Sequence, residues 1–153
     1  MLKKLLIIFL LCLPLFVMAR EKVNVSVFAR EGCVHCQEEQ VFLADLQKDL
    51  PQISAQYYDI GQVDARELFN AITSKYALTK GTPITLVNGQ LVQGFDTPEN
   101  TGALLRELIT DARSAGPRFE DIKKGEAKVL DGSAGPSVCE DGKPCSVETG
   151  GFF

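Results

Sequence analysis

The sequence predicts an α/β fold: a mixed four-stranded sheet in the order β-α-β-α-β-β-α, flanked by helices. Three observations predict it. Segments in which apolar residues alternate are interleaved with segments in which they recur at threes and fours. A strand–helix–strand run near the start calls for a parallel pair joined by a right-handed crossover. Asn88-Gly89 then sits between two short apolar runs. That is a two-residue hairpin turn whose central positions want positive φ, so it adds antiparallel strands to the same sheet.

Each element has its own signal. Val23, Val25 and Val27 alternate with Asn24 and Ser26, and Phe28 follows, a strand pattern. A short loop over residues 29–32 leads into a helix over residues 34–49. There Val41, Phe42, Leu46 and Leu50 recur at helical spacing, and Pro51 ends the run. Residues 54–60, with Tyr57, Tyr58 and Ile60, read as the second strand. Asp64-Ala65-Arg66-Glu67 reads as a capping box opening a helix that carries Leu68, Phe69, Ile72 and Tyr76. Residues 84–87 and 91–93 flank the hairpin turn. Thr97-Pro98-Glu99, a cap followed by proline, starts the last helix, continued by Leu104, Leu105, Leu108, Ile109 and Ala112.

The 153 residues divide into three stretches. Lys3 and Lys4 precede an apolar run over residues 5–17 that is short for a membrane span, and Val17-Met18-Ala19 suits a leader peptidase. Residues 1–19 are therefore expected to be a signal peptide cleaved after Ala19, rather than a retained anchor, and Cys12 would leave with it. Residues 20–115 form the domain. Residues 116–153 hold seven of the 13 glycines and three of the seven prolines, and read as a tail or linker with at most a short turn near residues 119–123. Loss of Lys3 and Lys4 leaves 14 basic against 20 acidic residues, a net charge of −6. Such a chain lacks the basic patch that nucleic acid or anionic lipid requires.

Four cysteines remain, in two close pairs: Cys33 with Cys36, and Cys139 with Cys145. An even number suits an exported, oxidisable chain. Cys33-Val34-His35-Cys36 lies where a strand gives way to a helix. Positions i and i+3 of a helix face the same way, within reach of a disulfide if the first turn tightens. At the helix start, unpaired N–H groups and the macrodipole favour an anion, so Cys33 is the expected nucleophile. Cys36, one turn deeper and more buried, is the expected resolving thiol. His35, the sole histidine, can place a donor near the thiolate or point into solvent, and Glu38 and Glu39 would oppose its effect. Two rival readings stay open. Two thiolates suit Cu(I), which makes a metal-transfer module an alternative. A redox-inert interaction domain is the other. A structural zinc site would need four ligands, and no metal is expected.

Taken together, Cys33-Val34-His35-Cys36, Gly81-Thr82-Pro83 before the third strand and Gly94-Phe95-Asp96-Thr97 before the last helix resemble the thioredoxin superfamily, most closely its glutaredoxin-like branch, over residues 23–113. The resemblance implies a thioredoxin-like fold and thiol–disulfide oxidoreductase activity serving cell redox homeostasis. It implies that Pro83 follows a cis bond beside the active cysteine and that Thr82 pairs with bound peptide. It further implies that Gly94, Phe95, Asp96 and Arg30 contribute to substrate binding, with glutathione as a co-substrate and no resident cofactor. Departures are visible. Gln93 stands where the branch usually has a first glycine, and Val34-His35 differs from its common Pro-Tyr. Histidine at that second place is closer to the strongly oxidising periplasmic disulfide-forming proteins, whose large helical insert is missing here.

The expected function is disulfide exchange with protein thiols or glutathione by an exported, periplasmic protein, with no nucleic-acid partner. Cys139 and Cys145 bracket Glu140-Asp141-Gly142-Lys143-Pro144. They read as a local disulfide staple, with a second redox pair as the alternative. The tail faintly resembles stretches that link exported redox domains to a membrane electron-carrier partner.

Overall fold

A computed structural model describes residues 21–131. The leader expected at residues 1–19, and Cys139 and Cys145, lie outside the described residues. Strands β1 (Val23–Ala29), β2 (Ile53–Asp59), β3 (Ile84–Val87), β4 (Gln90–Gln93) and β5 (Lys128–Asp131) alternate with helices α1 (Val34–Asp49), α2 (Val63–Lys75), α3 (Thr101–Asp111) and the single turn α4 (Phe119–Ile122). Among the described residues the strands form one mixed sheet in the order β2-β1-β3-β4-β5. β1 and β2 are parallel with Val23 opposite Ile53, and β3 lies antiparallel on β1's other side. The Asn88-Gly89 hairpin is as expected. Both residues have positive φ, +50° and +73°, and Val87 faces Gln90.

The four-stranded expectation is corrected to five strands. β5 comes from the stretch read as tail and pairs in parallel with β4, Gln90 opposite Lys128 and Gln93 opposite Asp131. Four residues are too few to display a period, and Val129 on this edge stays 42% exposed, so no alternation marks the strand. The packed body thus runs through Asp131. Asn24 fastens the connection, its N–H donating to the Ala115 carbonyl (2.7 Å) and its amide to the Gly116 carbonyl (2.9 Å).

The core has two layers. On one face Val23, Val25, Val27, Val87 and Val92 meet Leu43 and Leu46 of α1 and Leu105, Leu108 and Ile109 of α3. On the other, Phe28, Ile84, Leu86 and Leu91 meet Phe69 and Ile72 of α2 and Phe119 and Ile122 of α4. β1 is thus covered on both sides, and alternate residues serve opposite layers. Phe119 stacks on Phe28 with ring centroids 3.8 Å apart, and Phe69 meets Phe28 edge-on at 5.4 Å. Lys75 at the end of α2 donates to the Ile122 carbonyl (3.0 Å), as does the Tyr76 hydroxyl (3.0 Å), so the end of α2 holds α4 in place.

Two helix starts differ from expectation. α2 begins at Val63 with Gln62 as its cap residue and no side-chain cap bond, so Asp64-Ala65-Arg66-Glu67 does not form a capping box. The Asp59 carboxylate takes the Gly61 N–H at 2.9 Å and turns the chain early. Asp64 falls inside the first turn, where its charge favours the helix dipole. α3 begins at Thr101, because Thr97-Pro98-Glu99 is spent in a turn closed by the Thr97 hydroxyl, which accepts the Asn100 N–H at 3.2 Å.

Candidate active site

The C-terminal end of β1 delivers the chain to Gly32, whose φ of +72° lies in the left-handed region that glycine enters without strain. Cys33 follows as the cap residue of α1, with extended backbone (φ −86°, ψ 108°). Its Sγ accepts the Cys36 N–H at 3.2 Å, doing with sulfur what a serine or aspartate oxygen does at other helix starts. Cys33 and Cys36 are joined by a disulfide, with Cα atoms 5.3 Å apart. The two residues are almost equally buried, 7% and 5% exposed, so depth distinguishes them less than expected. What differs is their neighbours.

Thr82 and Pro83 cross the mouth of this helix, and the bond between them is cis. Thr82 Oγ1 lies 3.6 Å from Cys33 Sγ with its hydroxyl as donor, and the Thr82 carbonyl oxygen is also 3.6 Å away. In the disulfide state no S–H exists, so only the hydroxyl contact is a hydrogen bond. Once the pair is reduced, the Thr82 hydroxyl and the Cys36 N–H are two donors to one sulfur. The Pro83 carbonyl accepts the Gly94 N–H at 2.9 Å, and Gly94 has φ +84°, so Pro83 and Gly94 are held together beside the cysteines.

The remaining expected site residues are placed as follows. Phe95 is 3% exposed and packs into the core against Phe42 at 5.7 Å. Asp96 organises the start of α3. Its Oδ1 accepts from the Thr97 N–H (2.6 Å), the Thr101 N–H (3.0 Å) and the Thr101 hydroxyl, and its Oδ2 accepts from the Asn100 amide. Desolvation pushes the Asp96 carboxyl up, but the bonds from Thr101, Thr97 and Asn100 outweigh it and hold the group well below the usual carboxylate range. Arg30 is exposed, and its carbonyl accepts the Cys33 N–H at 3.4 Å. His35 points outward, 64% exposed, with Nδ1 3.2 Å from Glu38 Oε2. Among the described residues no cluster of three or more His, Cys, Asp or Glu side chains is arranged to hold a metal.

Glu39, read from the sequence only as a charge opposing His35, is the residue whose place the sequence conceals. It is 1% exposed and lies on the buried stripe of α1 with Cys36, Leu43 and Leu46. Its Oε1 accepts the Thr85 hydroxyl, while Oε2 has no hydrogen-bond partner. Burial pushes its carboxyl up from 4.5 to about 7, against the opposing hydrogen bond from Thr85. The available signal was its i+3 spacing from Cys36 and i−4 spacing from Leu43, which puts a carboxyl on a helix face aimed at the sheet. Val41, read as part of that face, is instead 63% exposed.

The raised value makes Glu39 a pH-dependent liability. In the unfolded chain Glu39 ionises near 4.5, and in the folded chain near 7. The cost of suppressing its ionisation is therefore absent at low pH and grows as pH rises from about 4.5 to 7. At 1.36 kcal/mol per pH unit the full cost is about 3 kcal/mol. Glu39→Gln keeps an acceptor for Thr85 and cannot ionise. It is expected to match the parent near pH 4.5 and to be more stable by about 3 kcal/mol at pH 8.5, read from urea unfolding at both pH values. An equal pH dependence in parent and variant would rule this account out.

Comparison with protein-family models and with curated proteins finds no match for the chain.

Proposed function

We propose that the protein is a thiol–disulfide oxidoreductase of thioredoxin-like fold, with Cys33 as the reacting sulfur and Cys36 as its partner. One observation carries the reading: Cys33 Sγ sits at the start of α1, accepts the Cys36 N–H, and lies against Thr82 at the cis Thr82–Pro83 bond. A thiolate there is met by two donors and the positive end of a 16-residue helix.

The steps follow from the disulfide state. A substrate thiolate attacks Cys33 Sγ, and the Cys33–Cys36 bond breaks with Cys36 leaving as a thiolate that takes up a proton. Glu39, one turn further along the same buried stripe and near neutrality in its titration, is the group that can supply that proton. A second substrate thiolate then attacks the substrate sulfur of the mixed disulfide. The substrate leaves oxidised, and Cys33 leaves as a thiolate. Two electrons have passed to the protein. The reverse sequence reduces a substrate disulfide. Thr82 and Pro83 shape the groove in which the substrate backbone lies, and a protein thiol or glutathione supplies the same sulfur chemistry. An exported chain would work where disulfides persist.

The test is the reduction potential of the pair, on the full chain with Cys12, Cys139 and Cys145 replaced by Ser. The protein is equilibrated in glutathione buffers and free thiols are counted. A value near about −120 mV assigns disulfide donation, and one near about −270 mV assigns reduction. A pair that never exchanges overturns the reading and leaves Cu(I) binding as the chemistry to measure next.

A further inference from the structure

Starting one residue past Cys36, the outward face of α1 and the segment over residues 95–99 form an open groove of about 630 Å³. It begins at Gln37, the residue after Cys36, and runs to Asp45. Its floor is Val41, Phe42, Phe95 and Pro98. Val41 is an uncovered apolar side chain, 63% exposed, as is Val34 at the start of the same helix. Gly102 lies behind Phe42, and a Cβ there would come within 2.9 Å of the ring, so the backbone of α3 sets how deep the floor can be. A second depression of about 480 Å³ shares Phe42, Pro98 and Glu99 with the first and extends it along α3.

The rim is acidic. Glu38, Asp45, Asp96 and Glu99 line the first depression, and Glu107 and Asp111 the second. The one base lining either is Arg106. Lys48 bonds Asp45 at 2.6 Å and His35 meets Glu38 at 3.2 Å. Counting both of these as cations, six acids still face three bases.

We propose that this groove receives a short extended segment of the substrate polypeptide, rich in basic and apolar residues and close in sequence to its reacting cysteine. The inference rests on the thiol–disulfide reading and adds the class of substrate. The eight helical steps from Gln37 to Asp45 span about 12 Å, room for three or four extended residues. An apolar floor under an acidic rim complements side chains such as Leu flanked by Lys or Arg. A second copy of this chain is poorly matched, since its 20 acidic residues outnumber its 16 basic ones.

The experiment measures attack on the Cys33–Cys36 disulfide by three thiol peptides in which a cysteine is followed by Lys-Leu-Lys, Ser-Leu-Ser or Glu-Leu-Glu. The protein is the full chain with Cys12, Cys139 and Cys145 replaced by Ser. Each rate is divided by the same peptide's rate with a small aromatic disulfide, which removes differences in thiolate fraction. The expected result is a normalised preference of at least about tenfold for the Lys peptide over the Glu peptide at low salt, narrowing at high salt. Asp45→Lys with Glu99→Lys is expected to abolish the preference. Asp64→Lys with Glu67→Lys, the same charge change on α2, is expected to retain it. Equal normalised rates overturn the proposal while leaving the redox reading intact. A Ser peptide as fast as the Lys peptide also overturns it, because the groove would then select apolar character alone. A dimer dissolved by Val41→Glu would assign the groove to a second copy and likewise overturn it. If neither peptides nor small thiols open the disulfide, it is the thiol–disulfide reading that fails.

Discussion

Replacing Cys33 by Ser is expected to lower thiol–disulfide exchange by ~10³-fold or more, because every covalent step forms or breaks a bond to its sulfur. Replacing Cys36 by Ser is expected to do something different. Cys33 Sγ remains at the start of α1 with the residue-36 N–H and the Thr82 hydroxyl as donors, so attack on a substrate disulfide continues. The mixed disulfide then has no internal thiol to resolve it and accumulates. The checks are stopped-flow rates with a small aromatic disulfide and mass spectrometry of the trapped adduct. If Cys33→Ser and Cys36→Ser trapped adducts equally, the helix start would not be selecting the nucleophile. If neither variant changed the protein's behaviour, the chemistry would lie elsewhere and an interaction role for the fold would gain ground.

The second large effect is on stability. Phe119 is fully buried, stacks on Phe28 at 3.8 Å and meets Tyr58 edge-on at 5.3 Å. Phe119→Ala is expected to cost about 3–5 kcal/mol, combining the lost transfer energy with a cavity between α4 and the sheet. For a domain of this size the unfolding midpoint should fall by about 15 °C, measurable by thermal circular dichroism. Phe119→Leu refills most of the space and should recover more than half of the loss. A loss of under about 1 kcal/mol in the Ala variant would mean that α4 and β5 melt independently of the sheet's other strands.

Those two residues mark the boundary of what the sequence discloses. The cysteine pair is legible because its spacing, its strand-to-helix setting and the threonine-proline downstream all converge on one end of the sheet. Asn88-Gly89 is legible because few residue pairs accept two positive φ values in succession. The short turn expected near residues 119–123 is present as α4, but β5 is not legible, because a four-residue strand is shorter than the pattern that betrays one. Glu39 is hidden for another reason. A glutamate on a helix is read as solvated by default, and only the position of Thr85 across the sheet shows that it faces inward. Asp96 is legible as a residue of note but not in its role, since the same carboxylate that suits an ammonium group also suits the N–H groups of α3. The structure directs four protein donors onto it.

The parallel pairing of β5 with β4 also sets the polarity of the whole molecule with respect to whatever it is joined to. β1 and β4 run the same way, so Ala29, Gln93 and Asp131 emerge from one pole of the sheet, the pole that carries Cys33, Pro83 and Gly94. Val23 enters at the opposite pole. A protein held by its N-terminal side therefore presents the disulfide outward, away from its point of attachment. β5 ends at the same pole as β1, but on the sheet's edge, three strands away from it. A purification tag or fusion partner on the N-terminal side therefore leaves the disulfide's pole of the sheet uncovered.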